Sequence, residues 1–433
     1  MNIKRDKLED LIAWKDRPTR KPLILNGARQ VGKSWLVREF GKSYFKDNIL
    51  TINFEKRREL HAVFEKNLDV TRIVREIGII TETKIIAGKT LLFFDEIQEC
   101  PDALMSLRYF YEEMPNLHLI AAGSLLDFAY STNPYPVGRV ETLELQPISF
   151  IEFLHARGRI STSHFIKTGD WENIEESVVL KNILEEDYRH YVIVGGMPAC
   201  VSAFLERGDY LEVEKIQDDL LYSYEQDFKK YRPQVNEECL LDILLNASKF
   251  IGGQIIYTKL SERFTSPTVK KGLELLKTAR LLISVENVSI SRLPLTSSGK
   301  QFKVFYLDIG LMVRKAGIGF KSIYFKNELS AAFQGVLAEQ FVAQQLATHQ
   351  SSNLKYWART EGSASSEVDF VIALEGKIIP IEVKAGKKGA LKSLNYVLEN
   401  YPNIEKAIVF SNAPSGVDGK IHYLPIWFAG VKI

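Results

Sequence analysis

Short apolar runs alternate with helical spacing through the first third of the chain. Residues 22–25, 49–54, 91–94, 117–122 and 140–145 read as strands. Most lack strict in–out alternation, the pattern of strands covered on both faces. Between them, Val70, Ile73, Val74 and Ile77, and later Leu104, Leu107 and Tyr111, recur at helical spacing. Strands alternating with amphipathic helices predict an α/β fold built on a doubly wound parallel sheet.

The pattern then changes twice. Residues 149–236 carry helical spacing and no strong strand run. Residues 237–320 begin with helices and end in two strands, 281–285 and 303–307, the order of a winged helix. From about residue 328 a helix precedes strands 368–374 and 378–383, with Glu375-Gly376-Lys377 as the turn between them. The expected division is 1–155 for the parallel sheet, 156–236 for a helical lid, 237–325 for a winged-helix connector and 326–433 for a C-terminal α/β domain.

Composition narrows the function classes. The chain has 433 residues, 45% hydrophobic and 25% charged, with a net charge of +2. These values exclude a largely disordered or fibrous protein, and the balanced charge neither demands nor forbids a nucleic-acid partner. Three scattered cysteines, Cys100, Cys200 and Cys239, make neither a disulfide framework nor a zinc cluster. The N-terminus is charged and has no signal-peptide segment. The longest uncharged run, residues 191–205, is broken by Gly195-Gly196 and Pro198. It falls short of the roughly 20 apolar residues that cross a bilayer. A soluble, cytoplasmic protein with no membrane partner is expected.

Gly27-Ala28-Arg29-Gln30-Val31-Gly32-Lys33-Ser34 matches G-x-x-x-x-G-K-[ST] between a predicted strand and a predicted helix. Glycines let the backbone curl so that amide N–H groups point at phosphates, and the helix N-terminus adds positive potential. Lys33 would neutralise the β- and γ-phosphates of ATP, and the Ser34 hydroxyl would ligate Mg²⁺. The apolar strand 91–94 delivers Asp95 and Glu96 to its end. Asp95 would hold the Mg²⁺ water shell, and Glu96 would orient and polarise the attacking water.

The additional strand at 49–54 resembles the branch of P-loop ATPases that inserts a strand before the acidic pair. That resemblance offers Ser124, in Ala122-Gly123-Ser124, as a sensor of the γ-phosphate. Together with Gly138-Arg139-Val140, Leu145-Gln146-Pro147 through Phe153, and Val194-Gly195-Gly196-Met197-Pro198, these motifs resemble a prokaryotic group of AAA-type ATP-binding proteins. The resemblance covers nearly the whole chain, and it implies a C-terminal domain of unknown function. Arg139 is the candidate arginine for γ-phosphate charge, in cis, or in trans within a homo-oligomer. Arg29, inside the phosphate loop, is a second candidate for that role, with packing over the loop as the favoured reading.

Residues 237–320 are locally basic, with eight lysines and four arginines against seven acidic residues. Ser266 would cap a helix whose first residue is Pro267, with Lys270 and Lys271 on its exposed face near the phosphates of double-stranded DNA. An inter-domain or protein-binding role for this module stands beside that one.

In the last domain, Glu382 and Lys384 project from one face of a strand, and Asp369 pairs in from the neighbouring strand. Glu339 lies on the preceding helix. This order resembles the PD-(D/E)xK nuclease core, although Val368 stands where that motif has its proline. The resemblance implies Mg²⁺ ligation by Glu339, Asp369 and Glu382, with Lys384 positioning the attacking water. The expectation is Mg²⁺-dependent ATP hydrolysis coupled to action on nucleic acid. The alternative is an ATP-switched regulatory protein whose C-terminal domain binds a partner without cleaving it.

Overall fold

The structure, a computed structural model, describes residues 3–123, 138–169, 177–231, 234–325, 330–350, 354–359, 366–386 and 391–431. Lys4–Gln146 form one compact unit, and Pro147–Ile433 cluster in another.

The smaller unit holds five parallel strands: β1 (Leu23–Asn26), β2 (Ile49–Asn53), β3 (Leu91–Asp95), β4 (His118–Ala122) and β5 (Glu141–Glu144). Their order is β2-β3-β4-β1-β5, and every pair runs parallel. β1, β3 and β4 are buried along their full length, which explains their unbroken apolar runs. Phe54, Phe64, Phe94 and Phe110 meet edge to face on one side of the sheet, with Phe54 and Phe94 centred 5.3 Å apart. This geometry adds aromatic attraction to simple burial.

The larger unit opens with helices, including Phe150–Ala156, Val178–Val194 and Tyr210–Asp227. Ser149 and Glu152 form a reciprocal capping box at the first of them. Helices Glu237–Lys249, Tyr257–Leu260 and Ser266–Thr278 then lead into the hairpin of β6 (Leu282–Ser289) and β7 (Thr296–Tyr306). Thr265, not Ser266, precedes the last of these helices, and Pro267 sits within its first turn. β7 begins seven positions earlier than the strand expected at 303. Its first six residues, Thr296 to Gln301, are polar and mostly exposed, so no apolar run announces them.

Helix Ala331–Gln350 precedes β8 (Lys355–Ala358), β9 (Glu367–Leu374) and β10 (Lys377–Lys384). Helix Lys392–Asn400 follows, then β11 (Ala407–Ser411), β12 (Gly416–Asp418) and β13 (Ile421–Pro425). β8, β9 and β10 run antiparallel in turn, whereas β10, β11 and β13 run parallel.

The expected connector and C-terminal domain are not separate bodies. β6 pairs with β8, so all eight strands form one sheet, β12-β13-β11-β10-β9-β8-β6-β7. Three buried glutamines on helix Ala331–Gln350 reinforce the union. Gln340 bonds both the N–H and C=O of Tyr306, at 2.9 and 2.8 Å. Gln344 accepts from Ile309 N at 2.7 Å, and Gln345 accepts from Phe150 N at 2.9 Å. Each glutamine satisfies backbone groups that would be costly to bury unpaired.

Gly195 and Gly196 mark another junction within this unit. The Gly196 N–H donates to Asp308 Oδ2 at 2.5 Å, and its carbonyl accepts from Ile148 N at 2.7 Å. A Cβ on Gly196 would lie 2.2 Å from the Ile148 carbonyl oxygen. Burial raises the Asp308 carboxyl above its ordinary value, opposed by hydrogen bonds from Gly196, Leu311 and Gln344. Cys100, Cys200 and Cys239 are all buried free thiols. Among the described residues, no helix is long and apolar enough to cross a membrane.

Candidate functional site

In a parallel sheet, the chain leaves every strand at the same edge. β1 therefore delivers Gly27–Ser34 to the edge where β3 delivers Asp95 and Glu96. Gly27 adopts φ 150° because the Leu145 carbonyl passes so close that a Cβ would lie 2.4 Å from it. Gln30 and Gly32 also take positive φ, at 65° and 97°, curling the loop into helix Lys33–Tyr44.

Lys33 is buried, and its Nζ donates to the carbonyls of Gly27 and Ala28, both at 2.8 Å. The ammonium thus caps the loop from inside. The Ser34 hydroxyl donates to Asp95 Oδ1 at 2.9 Å, while Asn53 Nδ2 donates to Asp95 Oδ2 at 3.3 Å. A hydroxyl and a carboxylate facing each other across one hydrogen bond fit Mg²⁺, which takes one or two protein oxygens plus substrate phosphate and water. Ser34 and Asp95 would hold that ion, which offsets phosphate charge.

Glu96 takes the left-handed conformation, φ 50°, immediately after β3, and its Oε2 accepts from Gln98 Nε2 at 2.7 Å. A non-glycine residue there carries about 1–3 kcal/mol of strain, a frequent mark of functional positions. Ser124 lies outside the described residues. Arg139 lies two residues before β5, whose Glu141 is level with Leu23 at the start of β1. The length of β1, roughly 10 Å, separates that edge from the phosphate loop. Arg139 instead pairs with Glu112 at 2.8 Å on the surface. The cis role expected for it is therefore not met, because closeness in sequence to the sensor strand does not carry it to the strand ends.

Sequence reasoning missed Arg5. It is buried, with its guanidinium donating to the carbonyls of Val31 at 3.0 Å and Gln146 at 2.6 Å. It braces the phosphate loop from below, yet lies in a charged N-terminal stretch that carries no motif.

Glu339, Asp369, Glu382 and Lys384 do converge in the larger unit. Lys384 Nζ bonds Glu382 Oε1 at 2.6 Å, and Asp369 Oδ2 accepts from Val383 N at 2.8 Å. The cluster also contains two residues that the sequence reading lacked, Glu367 and Lys303. Lys303, on β7, is completely buried. Its Nζ lies 3.3 Å from Glu339 Oε2 and 3.2 Å from Asp369 Oδ1, and it pairs with Glu367 as well. Gln254 closes the group by donating to Glu367 Oε2 at 2.5 Å.

Burial and the Asp369 charge push the Glu339 carboxyl up to about 8 despite the opposing pull of Lys303. The same two causes raise Glu382 to about 7 against Lys384. Burial works against the Lys303 charge, but Asp369, Glu339 and Glu367 together hold its pKa above the ordinary value.

The metal expected on Glu339, Asp369 and Glu382 does not fit this arrangement. Glu339 and Asp369 each turn an oxygen to an ammonium, and among the described residues no group of three or more His, Cys, Asp or Glu side chains could hold a metal ion. The reason is Lys303, supplied by the hairpin and invisible to a pattern confined to residues 339–384.

Residues 19–154 match a family described as an AAA domain. The smaller unit is an AAA-type P-loop ATPase domain. Residues 185–322 and 334–428 match two domains of unknown function, DUF8612 and DUF4143. An uncharacterized protein of Haemophilus influenzae is 25% identical over 356 residues, 76% of each chain. One from Methanocaldococcus jannaschii is 25% identical over 202 residues, 46% of this chain and 39% of its own length.

Two solved structures overlap in part. A Pyrococcus horikoshii STAND protein with a tetratricopeptide-repeat sensor aligns over 81% of this chain and 46% of its own, at 14% identity and TM-score 0.30. Thermotoga maritima RuvB, a Holliday junction branch migration motor, aligns over 69% and 93%, at 15% identity and TM-score 0.28.

Proposed function

We propose that the AAA domain binds Mg²⁺-ATP and hydrolyses it, with Lys33 on the β- and γ-phosphates, Ser34 and Asp95 on the ion, and Glu96 polarising the attacking water. The observation that carries this reading is the Ser34–Asp95 hydrogen bond of 2.9 Å beside a lysine-capped phosphate loop. Ser124 is retained as the γ-phosphate sensor. Arg139 is retained in trans, within a homo-oligomer; its pair with Glu112 is exposed and screened by solvent, and would yield to a better partner. The test is phosphate release together with binding of a fluorescent ATP analogue. Lys33→Ala should lose binding. Glu96→Gln should bind normally and stall turnover, because an amide keeps the shape but cannot polarise water as a carboxylate does. Turnover within a few-fold of the parent would remove Glu96 from the reaction.

For the larger unit, the reading favoured is docking on double-stranded DNA without cleavage. Lys270 and Lys271 lie exposed on helix Ser266–Thr278, and Lys300 is exposed on β7 of the adjoining hairpin. This helices-then-hairpin order supports a winged helix. The order of helix, β8, β9, β10, helix and β11, with β10 and β11 parallel, supports a PD-(D/E)xK-like core. Lys303 within the carboxylates argues against Mg²⁺-dependent cutting. Plasmid nicking assays with Mg²⁺ should show no product. Duplex DNA should change the ATPase rate, and Lys270→Glu with Lys271→Glu should abolish that response. Nicking that Asp369→Asn removes would restore the nuclease reading.

A further inference from the structure

The carboxylate cluster already contains a cation. Lys303 comes from β7, on the winged-helix hairpin, while its partners come from helix Ala331–Gln350 and from β9. It is 0% exposed, and an ammonium buried so deeply needs full compensation. The Glu367 and Asp369 carboxylates supply it, and Glu339 turns its Oε2 to the same ammonium. The Tyr356 ring lies 5.6 Å from the same ammonium. Gly252, at φ 74°, brings the preceding loop so close to Glu339 that a Cβ would lie 2.6 Å from its Oε2. The cation is therefore built in and covered.

A divalent metal needs carboxylate oxygens turned toward it at about 2.0–2.6 Å. Here Glu339 Oε2 and Asp369 Oδ1 are turned to Lys303, Asp369 Oδ2 to the Val383 N–H, and Glu382 Oε1 to Lys384. Glu382 Oε2 is buried without a hydrogen-bond partner among the described residues. Entry of a metal would place two more positive charges beside an ammonium that is fully buried and already paired.

We infer that Lys303 is the resident cation of this cluster, an ammonium standing where a nuclease of similar topology would hold its metal. The cluster consequently takes up neither Mg²⁺ nor Mn²⁺. Its charge serves instead to fasten the winged-helix hairpin to the C-terminal part of the sheet.

The test is Mn²⁺ titration of the full-length protein without nucleotide, read by electron paramagnetic resonance of the free ion. Wild type and Asp369→Asn should bind the same number of ions. Lys303→Met, which keeps the length of the stem and removes the charge, should gain one Mn²⁺ per chain. Lys303→Met with Asp369→Asn should lose it again. Lys303→Gln serves as a second vacating variant, and circular dichroism reports folding of each. A wild-type Mn²⁺ site that Asp369→Asn removes would overturn the inference. So would a folded Lys303→Met or Lys303→Gln that gains no ion. Should neither variant fold, the comparison of wild type with Asp369→Asn alone decides. None of these readings depends on ATP turnover, so failure here is distinct from failure of the ATPase assignment.

Discussion

The Ser34 hydroxyl donates to Asp95 Oδ1 across 2.9 Å, joining the first turn of helix Lys33–Tyr44 to the end of β3. Both groups are oriented before any ion arrives, so little reorganisation is needed when one does. Asp95→Asn keeps the shape and, through its amide oxygen, the Ser34 hydrogen bond, while giving up the weaker one from Asn53 and removing the charge. Turnover of ATP should fall by at least about 100-fold. The Mg²⁺ dependence of nucleotide binding should flatten, with the melting temperature of the nucleotide-free protein little changed. Isothermal titration with ATP, with and without Mg²⁺, reads the second effect.

Arg5 should matter to a site it never enters. Arg5→Ala leaves the carbonyls of Val31 and Gln146 short of their charged donor. Loss of buried hydrogen bonds from a charged group costs about 2–3 kcal/mol. ATP affinity should drop several-fold because Val31 sits inside the phosphate loop. Denaturant unfolding together with nucleotide titration separates the two effects. An unchanged affinity with lowered stability would confine Arg5 to the scaffold.

Gly196→Ala should be among the most damaging single-methyl changes in the chain. The new Cβ would lie 2.2 Å from the Ile148 carbonyl and 2.9 Å from the Tyr191 hydroxyl. The first is backbone held by its own hydrogen bonds and cannot step aside. Overpacking of this kind costs about 3 kcal/mol. A drop in melting temperature of roughly 5–10 °C is expected. Differential scanning calorimetry checks it, with Gly335→Ala as a control, where the backbone is helical and nothing lies within 4 Å of the added Cβ.

The acidic cluster sets a pH dependence whose sign is fixed. Glu339 has its pKa raised from 4.5 to about 8 in the folded protein. Between those values the folded protein keeps a proton that the unfolded chain has released. The stability from this group is therefore complete below about pH 4.5 and is lost as pH rises through about 8. Glu339→Gln mimics the protonated form at every pH. The variant should gain on the wild type as pH rises through that window, and the two should converge below pH 4.5. Urea midpoints measured at several pH values give the comparison, and parallel curves would exclude the shift.

What the sequence by itself determined is what depends on neighbours along the chain. Gly27–Ser34 reads as a phosphate loop because its curl, its lysine and its helix start are consecutive, so backbone geometry dictates them. The buried strands β1, β3 and β4 show as apolar runs for the same local reason. The antiparallel β9–β10 pair was legible because one short turn at Glu375 joins the two strands, so Asp369 and Glu382 come together with little choice of topology.

Only the tertiary structure decided where distant parts of the chain meet. Arg139 follows β4 in sequence, but β5 must return to the starting edge of a parallel sheet before it can pair with β1. That return carries Arg139 away from the phosphates. Lys303 is 66 positions from Asp369 and reads as one more lysine in a basic region. Its burial follows from the pairing of β6 with β8, which joins the hairpin to the C-terminal strands. No local periodicity encodes that edge. It is chosen by the total of buried surface and satisfied backbone groups across the whole sheet, including the Gln340 and Gln344 contacts of helix Ala331–Gln350. The sequence therefore determined the carboxylates, and the long-range pairing of strands decided which cation they would hold.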